Sequence, residues 1–90
     1  MTRIITRTAA FKKDYKRMQK RGYVMERLIS IIRLLVEGKK LEERHSDHTL
    51  HGNYEGNREC HIEPDWLLIY ASTEEELGLA RTGSHSDLFK

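Results

Sequence analysis

Ninety residues with 38% apolar and 33% charged side chains, six Gly and one Pro describe one small globular domain, neither disordered nor collagenous. The longest nearly uncharged run, Leu67 to Thr73, is far shorter than the roughly 20 apolar residues of a membrane span. No apolar stretch of signal-peptide length follows the N-terminus, and the single Cys60 excludes an internal disulfide framework or a multi-cysteine zinc site. The net charge of +2 conceals a division: residues 1–40 hold twelve Lys and Arg against three Asp and Glu, residues 41–90 hold four against eleven, and all five histidines fall in the second part. A cytoplasmic chain with no membrane partner is expected. Its basic part suits a polyanion, although solvated helix faces also collect Lys and Arg.

Arg3 to Arg7 alternates weakly and reads as a first strand. Thr8 is placed to cap a helix over residues 9–21, with Ala10, Phe11, Tyr15 and Met18 at helical spacing and Lys12, Lys13, Lys16, Arg17, Lys20 and Arg21 on the other face. Gly22 breaks it. A second helix, 24–37, carries the apolar stripe Met25, Leu28, Ile29, Ile32, Leu35 and Val36, and Gly38 stops it. Residues 39–56 form the longest irregular stretch, with three histidines and two glycines. Asn57 to Ile62 alternates as a strand, and Glu63 to Trp66 reads as a type I turn with Pro64 at its second position. Leu67 to Ala71 reads as a buried strand, Thr73 to Glu76 as an acidic turn and Leu77 to Thr82 as a fourth strand. Gly83 ends that strand, and Ser84 to Phe89 forms one last turn. The expected architecture is a single α+β domain over residues 1–90, in the order β-α-α-β-β-β. A mostly antiparallel four-stranded sheet is packed by an N-terminal helical hairpin. The last three strands form a meander; the pairing of the first is left open.

His48, His61, Asp65, Arg81 and His85 come from one loop, two strands or their turns, and the segment after the last strand. Imidazoles, a carboxylate and a guanidinium are what metal-free cleavage of an RNA phosphodiester needs. A base removes the 2′-hydroxyl proton, an acid protonates the 5′ leaving oxygen, and a cation holds the phosphate. Plainer readings stand beside this one. His45, His48 and His51 recur every third residue, as metal ligands can, but without an HExxH pattern or a cysteine pair they read as solvated loop residues. His61 suits an ordinary hydrogen-bonded sheet position, Asp65 a turn, and Arg81 a cross-strand partner for a glutamate. Trp66 and Phe89 suit core or cover positions, and Cys60 an inert small hydrophobe.

DHTLHGNYEGNRECHIEPDWLLIY, from Asp47 to Tyr70, followed by RTGSHSDLF, from Arg81 to Phe89, closely resembles the YafQ-like branch of the RelE toxin superfamily. The likeness covers essentially the whole chain, since the basic helical hairpin also fits. It implies the same β-α-α-β-β-β fold and a toxin of a type II toxin–antitoxin system. Such a toxin cleaves mRNA on the ribosome, is neutralised by a cognate antitoxin and, when free, is expected to be a monomer. Carried over by residue, it implies catalytic groups at His48, His61, Asp65 and His85, and a phosphate-binding Arg81. Trp66 and Phe89 would shape the RNA site. No cofactor and no metal are implied. Thr49 stands where relatives often carry Pro, and His51 where Gln can occur. His48 is cast as base and His85 as acid, with His61 and Asp65 orienting imidazoles or RNA. Lys12, Lys16 and Lys20 would grip ribosomal RNA. The rival readings are a non-enzymatic toxin or binding module that blocks its target, and a structural partner without activity.

Overall fold

A computed structural model of the chain describes residues 2–50 and 56–89. Thr8 caps the first helix as expected: its hydroxyl accepts the Phe11 N–H at 2.9 Å. The same hydroxyl donates to the Ala80 carbonyl at 2.7 Å, so the cap also ties the helix to a strand far along the chain. The elements are β1 (Ile4–Arg7), α1 (Ala9–Lys20), α2 (Met25–Val36), a 3-10 turn (Glu43–His45), β2 (His48–Thr49), β3 (Arg58–Glu63), β4 (Trp66–Ser72), β5 (Glu76–Gly83) and α3 (His85–Leu88). Gly22 and Gly38 take φ of +85° and +74°, a left-handed conformation that ends both helices where their positions predict.

The sheet has five strands in the order β1-β5-β4-β3-β2. The expected meander β3-β4-β5 is antiparallel, and β1 pairs in parallel with β5 through Ile4↔Glu76 to Arg7↔Leu79. The strand count of four is corrected to five by β2, where His48 and Thr49 pair with Glu59 and Arg58. Two residues are too few to show an alternation. β4 is buried on both faces, as its apolar run predicts. Trp66, Leu68 and Tyr70 join the core under α1 and α2, while Leu67 and Ile69 pack with Leu88 of α3 on the other side.

Two expected helix faces are corrected. Ala10 is exposed, and a carboxylate, Asp14, occupies the buried face of α1 with Phe11 and Met18. In α2 the buried residues are Met25, Leu28, Ile31 and Leu35, with Ile29, Ile32 and Val36 only half-buried. Apolar residues surround most of that helix, so hydrophobicity alone does not choose its face. Asp14 is buried because β1 covers only the first half of the β5 edge. Beyond Leu79 that edge is closed by α1, where the Asp14 carboxylate accepts the Thr82 N–H at 3.2 Å.

Candidate active site

The β3–β4 turn and the start of α3 bring three of the expected residues together. Asp65 accepts both the backbone N–H of His85, at 2.9 Å, and its ring Nδ1–H, at 2.7 Å. Those two bonds hold the Asp65 carboxyl below its ordinary range, the backbone bond contributing most. The His61 and His85 rings lie 5.7 Å apart between centroids, and the exposed Phe89 ring lies 6.5 Å from His85.

Glu59, which the residue pattern did not single out, joins these groups. It lies on the same face of β3 as His61, two positions away, and is 6% exposed. Its carboxylate oxygens sit 3.2 Å from Nε2 of His48 and 3.6 Å from Nε2 of His61. A glutamate alternating with a histidine on a strand that is otherwise buried was the available signal. His48 is exposed at the sheet edge and is held by its neighbour. Asp47 accepts the Tyr70 hydroxyl at 2.7 Å and Arg58 Nε at 3.1 Å. Burial together with Asp47 pushes the Tyr70 hydroxyl above its ordinary range, so it stays a donor.

The tautomers follow from the acceptors. Nδ1 of His48 meets the Ser46 carbonyl at 2.6 Å, Nδ1 of His61 the Pro64 carbonyl at 3.3 Å, and Nδ1 of His85 the Asp65 carboxylate. Each of these oxygens only accepts, so Nδ1 carries the proton and Nε2 is left for chemistry. His45 obeys the same rule but is buried, with Nδ1 donating to the His61 carbonyl at 2.6 Å. It braces the strand below the site. His51 lies outside the described residues. Cys60 is fully buried, and burial pushes its thiol up to about 12, as an inert residue requires.

Arg81 is placed differently from the expectation. It pairs in register with Ile69, which pairs with Glu59, so it stands two strands from Glu59, about 10 Å along the sheet. Its partner is Asp14 of α1, not a cross-strand glutamate. Nε and Nη2 reach the Asp14 oxygens at 2.6 and 3.1 Å, a fork on a carboxylate that is 2% exposed. Trp66 is corrected as an RNA contact. It is fully buried, stacked edge-on to Tyr23 at 5.0 Å, and its indole N–H donates to Thr82 Oγ1 at 2.9 Å.

Charged groups on α1 also hold α3. Ser84 and Asp87 form a capping box around the start of α3. Arg21 grips Asp87 at 2.7 and 3.1 Å, and Arg17 lies 2.9 Å from Asp14. Arg21 is the main reason the Asp87 carboxyl lies well below the usual range. Two of the six basic residues on α1 and its C-cap, Arg17 and Arg21, are therefore engaged inside the molecule. Lys12, Lys13, Lys16 and Lys20 remain on the exposed face.

Glu59, His61 and His85 each bring one ligand atom to within 4.8 Å of the others. That spacing and donor set suit a metal ion as well as proton transfer.

A small α+β sheet carrying imidazoles paired with carboxylates defines a class of metal-free or metal-binding hydrolytic sites, and comparison with known proteins narrows it. Residues 3–90 match the family described as bacterial toxin of type II toxin–antitoxin system, YafQ. The chain belongs to that family. It is 40% identical over 88 residues to the mRNA interferase toxin YafQ of Escherichia coli, covering 97% of this chain and 96% of the relative. The fold matches the toxin in the crystal structure of the Escherichia coli DinJ–YafQ toxin–antitoxin complex, with a TM-score of 0.92, 38% identity and full coverage of both chains. A metal-bound toxin from Helicobacter pylori matches with a TM-score of 0.89 and 37% identity over 99% of this chain and 100% of that one.

Proposed function

We propose that the chain cleaves mRNA on the ribosome by acid–base transesterification, and that a cognate antitoxin neutralises it. Membership of the family of type II toxins and 40% identity to an mRNA interferase support endonuclease action over the blocking or inactive readings. The toxin of a solved toxin–antitoxin complex supports the partner. The observation that carries the mechanism is the pairing of two imidazoles with two carboxylates around one point: His85 with Asp65 at 2.7 Å, and His48 with Glu59 at 3.2 Å.

In this mechanism Nε2 of His48 takes the 2′-hydroxyl proton, and Glu59 gives the resulting imidazolium an ion-pair partner. The 2′-oxygen attacks the adjacent phosphorus and the bond to the 5′-oxygen breaks. His85, with Nδ1 held by Asp65, delivers a proton from Nε2 to that leaving oxygen. The products are a 2′,3′-cyclic phosphate and a 5′-hydroxyl. His61 shares Glu59 with His48 and faces His85, a position for orienting both groups. Arg81 supplies positive charge to the phosphate from a guanidinium aimed by Asp14, and Phe89 covers the His85 side. Lys12, Lys16 and Lys20 meet ribosomal RNA by charge.

Glu59, His61 and His85 fit a transition metal, which would polarise a phosphoryl oxygen if it took part. The proposed reaction uses the same imidazoles as proton carriers and needs none. Cleavage of ribosome-bound mRNA is expected to persist in excess EDTA with polyamine present to keep ribosomes intact. A message with hydrogen in place of the attacking 2′-hydroxyl is expected to survive. Activity restored only by added metal, or cleavage of the deoxy message at the normal rate, overturns the mechanism.

A further inference from the structure

β2 covers only the Arg58–Glu59 end of β3; the rest of that outer edge has no strand partner among the described residues. A groove of about 910 Å³ lies there, bounded by α2, the 3-10 turn and the β3–β4 turn. Its size is within the roughly 300–1,000 Å³ of small-molecule sites. His61 belongs both to this groove and to the imidazole–carboxylate cluster, so the groove opens directly from the candidate active site.

The walls differ from the basic face of α1. Ile31, Leu34 and Ile62 supply apolar surface. Arg27 stands 3.8 Å from Glu63 across one end, and Arg44 stands 3.5 Å from Glu42 at the other. Cations matched by acids do not make a track for a phosphate backbone. They do match a planar group that presents acceptors and donors on adjacent edges and an apolar face to stack. Both ion pairs are exposed, with side chains 60% and 36% accessible for Arg27 and Glu63 and 73% and 72% for Arg44 and Glu42. Exposed pairs of this kind contribute little to stability, so exchanging partners for a ligand costs little.

We propose that this groove receives the base of a nucleotide flanking the scissile phosphate, and that Arg27 and Glu63 select guanine there. The guanidinium would donate to guanine O6 and N7, while the carboxylate accepts from N1–H and the exocyclic amine. Adenine and the pyrimidines lack that combination. Arg27 and Glu63 then set sequence preference without touching the reacting atoms. This inference rests on the chain being a ribosome-dependent endoribonuclease.

The test maps 5′-hydroxyl ends released from ribosome-bound messages randomised around one cut site, for wild type, Arg27→Ala and Glu63→Gln. Wild type is expected to favour guanine at one flanking position by about tenfold or more, the discrimination of one good base contact. Each variant is expected to reduce that preference to about threefold or less while cutting non-guanine messages within about threefold of wild type. An unchanged preference in both variants overturns the inference. So does a uniform loss of cleavage across all sequences, or a change confined to antitoxin affinity, which would make the groove a protein-binding surface. Failure of wild type to cut any message would instead end the underlying reading of the chain as a nuclease.

Discussion

The two imidazole–carboxylate pairs of the site are built in opposite ways. Asp65 is 67% exposed, and His85 is fixed to it by both backbone and ring bonds at the start of a capped helix that Arg21 holds through Asp87. Glu59 is 6% exposed, whereas its partner His48 stands half-exposed on a two-residue edge strand. One pair has a braced imidazole on a surface carboxylate; the other has a surface imidazole on a buried carboxylate. The contrast separates catalysis from stability. Changes to the His85 pair should act on cleavage alone, and changes to Glu59 on both.

His85→Gln sharpens this comparison most. It is expected to reduce cleavage about 10²–10⁴-fold, the usual range for a proton-transfer group, with unfolding free energy within about 0.5 kcal/mol of wild type. Single-turnover kinetics and denaturant unfolding measure both quantities. A blocking toxin without chemistry would still arrest growth with this substitution, and that result would contradict the assignment. Glu59→Gln should cost about 10–100-fold in cleavage, as loss of an orienting partner does, and also about 1 kcal/mol of stability because the group is buried. Asp65→Asn, which keeps an acceptor for His85 Nδ1, should cost only about tenfold, the lower end of that range, and leave stability alone. Equal stability losses at positions 59 and 65 would break the comparison.

A third test moves outside both pairs. Reversing Lys12, Lys16 and Lys20 to Glu leaves Phe11, Met18 and the Asp14–Arg81 fork in place, so the fold should persist. Ribosome association should weaken, and the slope of log K against log salt should flatten by about 0.7–0.9 for each phosphate that is no longer neutralised. An unchanged slope would make that face simple solvation.

The smallest effect is expected in acid. The Asp87 carboxyl is held below its ordinary range, first by Arg21. Its stabilising contribution is therefore fully present above the unfolded carboxylate value of about 3.9 and is lost as pH falls through the lower folded value. Arg21→Ala should flatten the decline in stability below about pH 4 and leave neutral stability almost unchanged. Denaturant midpoints at a series of acid pH values test it.

Much of this arrangement was legible in the residues, for reasons that are local. The Thr8 cap, the helix stops at Gly22 and Gly38 and the central position of β4 each rest on neighbours in sequence. So did the convergence of His61, Asp65 and His85, once strands β3 to β5 were read as a meander. What escaped depends on distant partners. Nothing near Asp14 announces that β1 stops short and leaves Thr82 N–H needing an acceptor. Trp66 is buried because Thr82 and Tyr23 meet it, and neither partner is adjacent in sequence. Glu59 looked like one more acid in an acidic half until β2 brought His48 against it.

His48 and His85 carry the two protons of the proposed reaction, and a pH profile of single-turnover cleavage tests that most directly. Wild type is expected to give a bell over the range in which ribosomes stay intact, with an acid limb where the base becomes protonated and an alkaline limb where the acid loses its proton. His48→Gln should remove the acid limb and His85→Gln the alkaline limb, each leaving a slower reaction with one limb only. Two limbs surviving unmoved in both variants would contradict it.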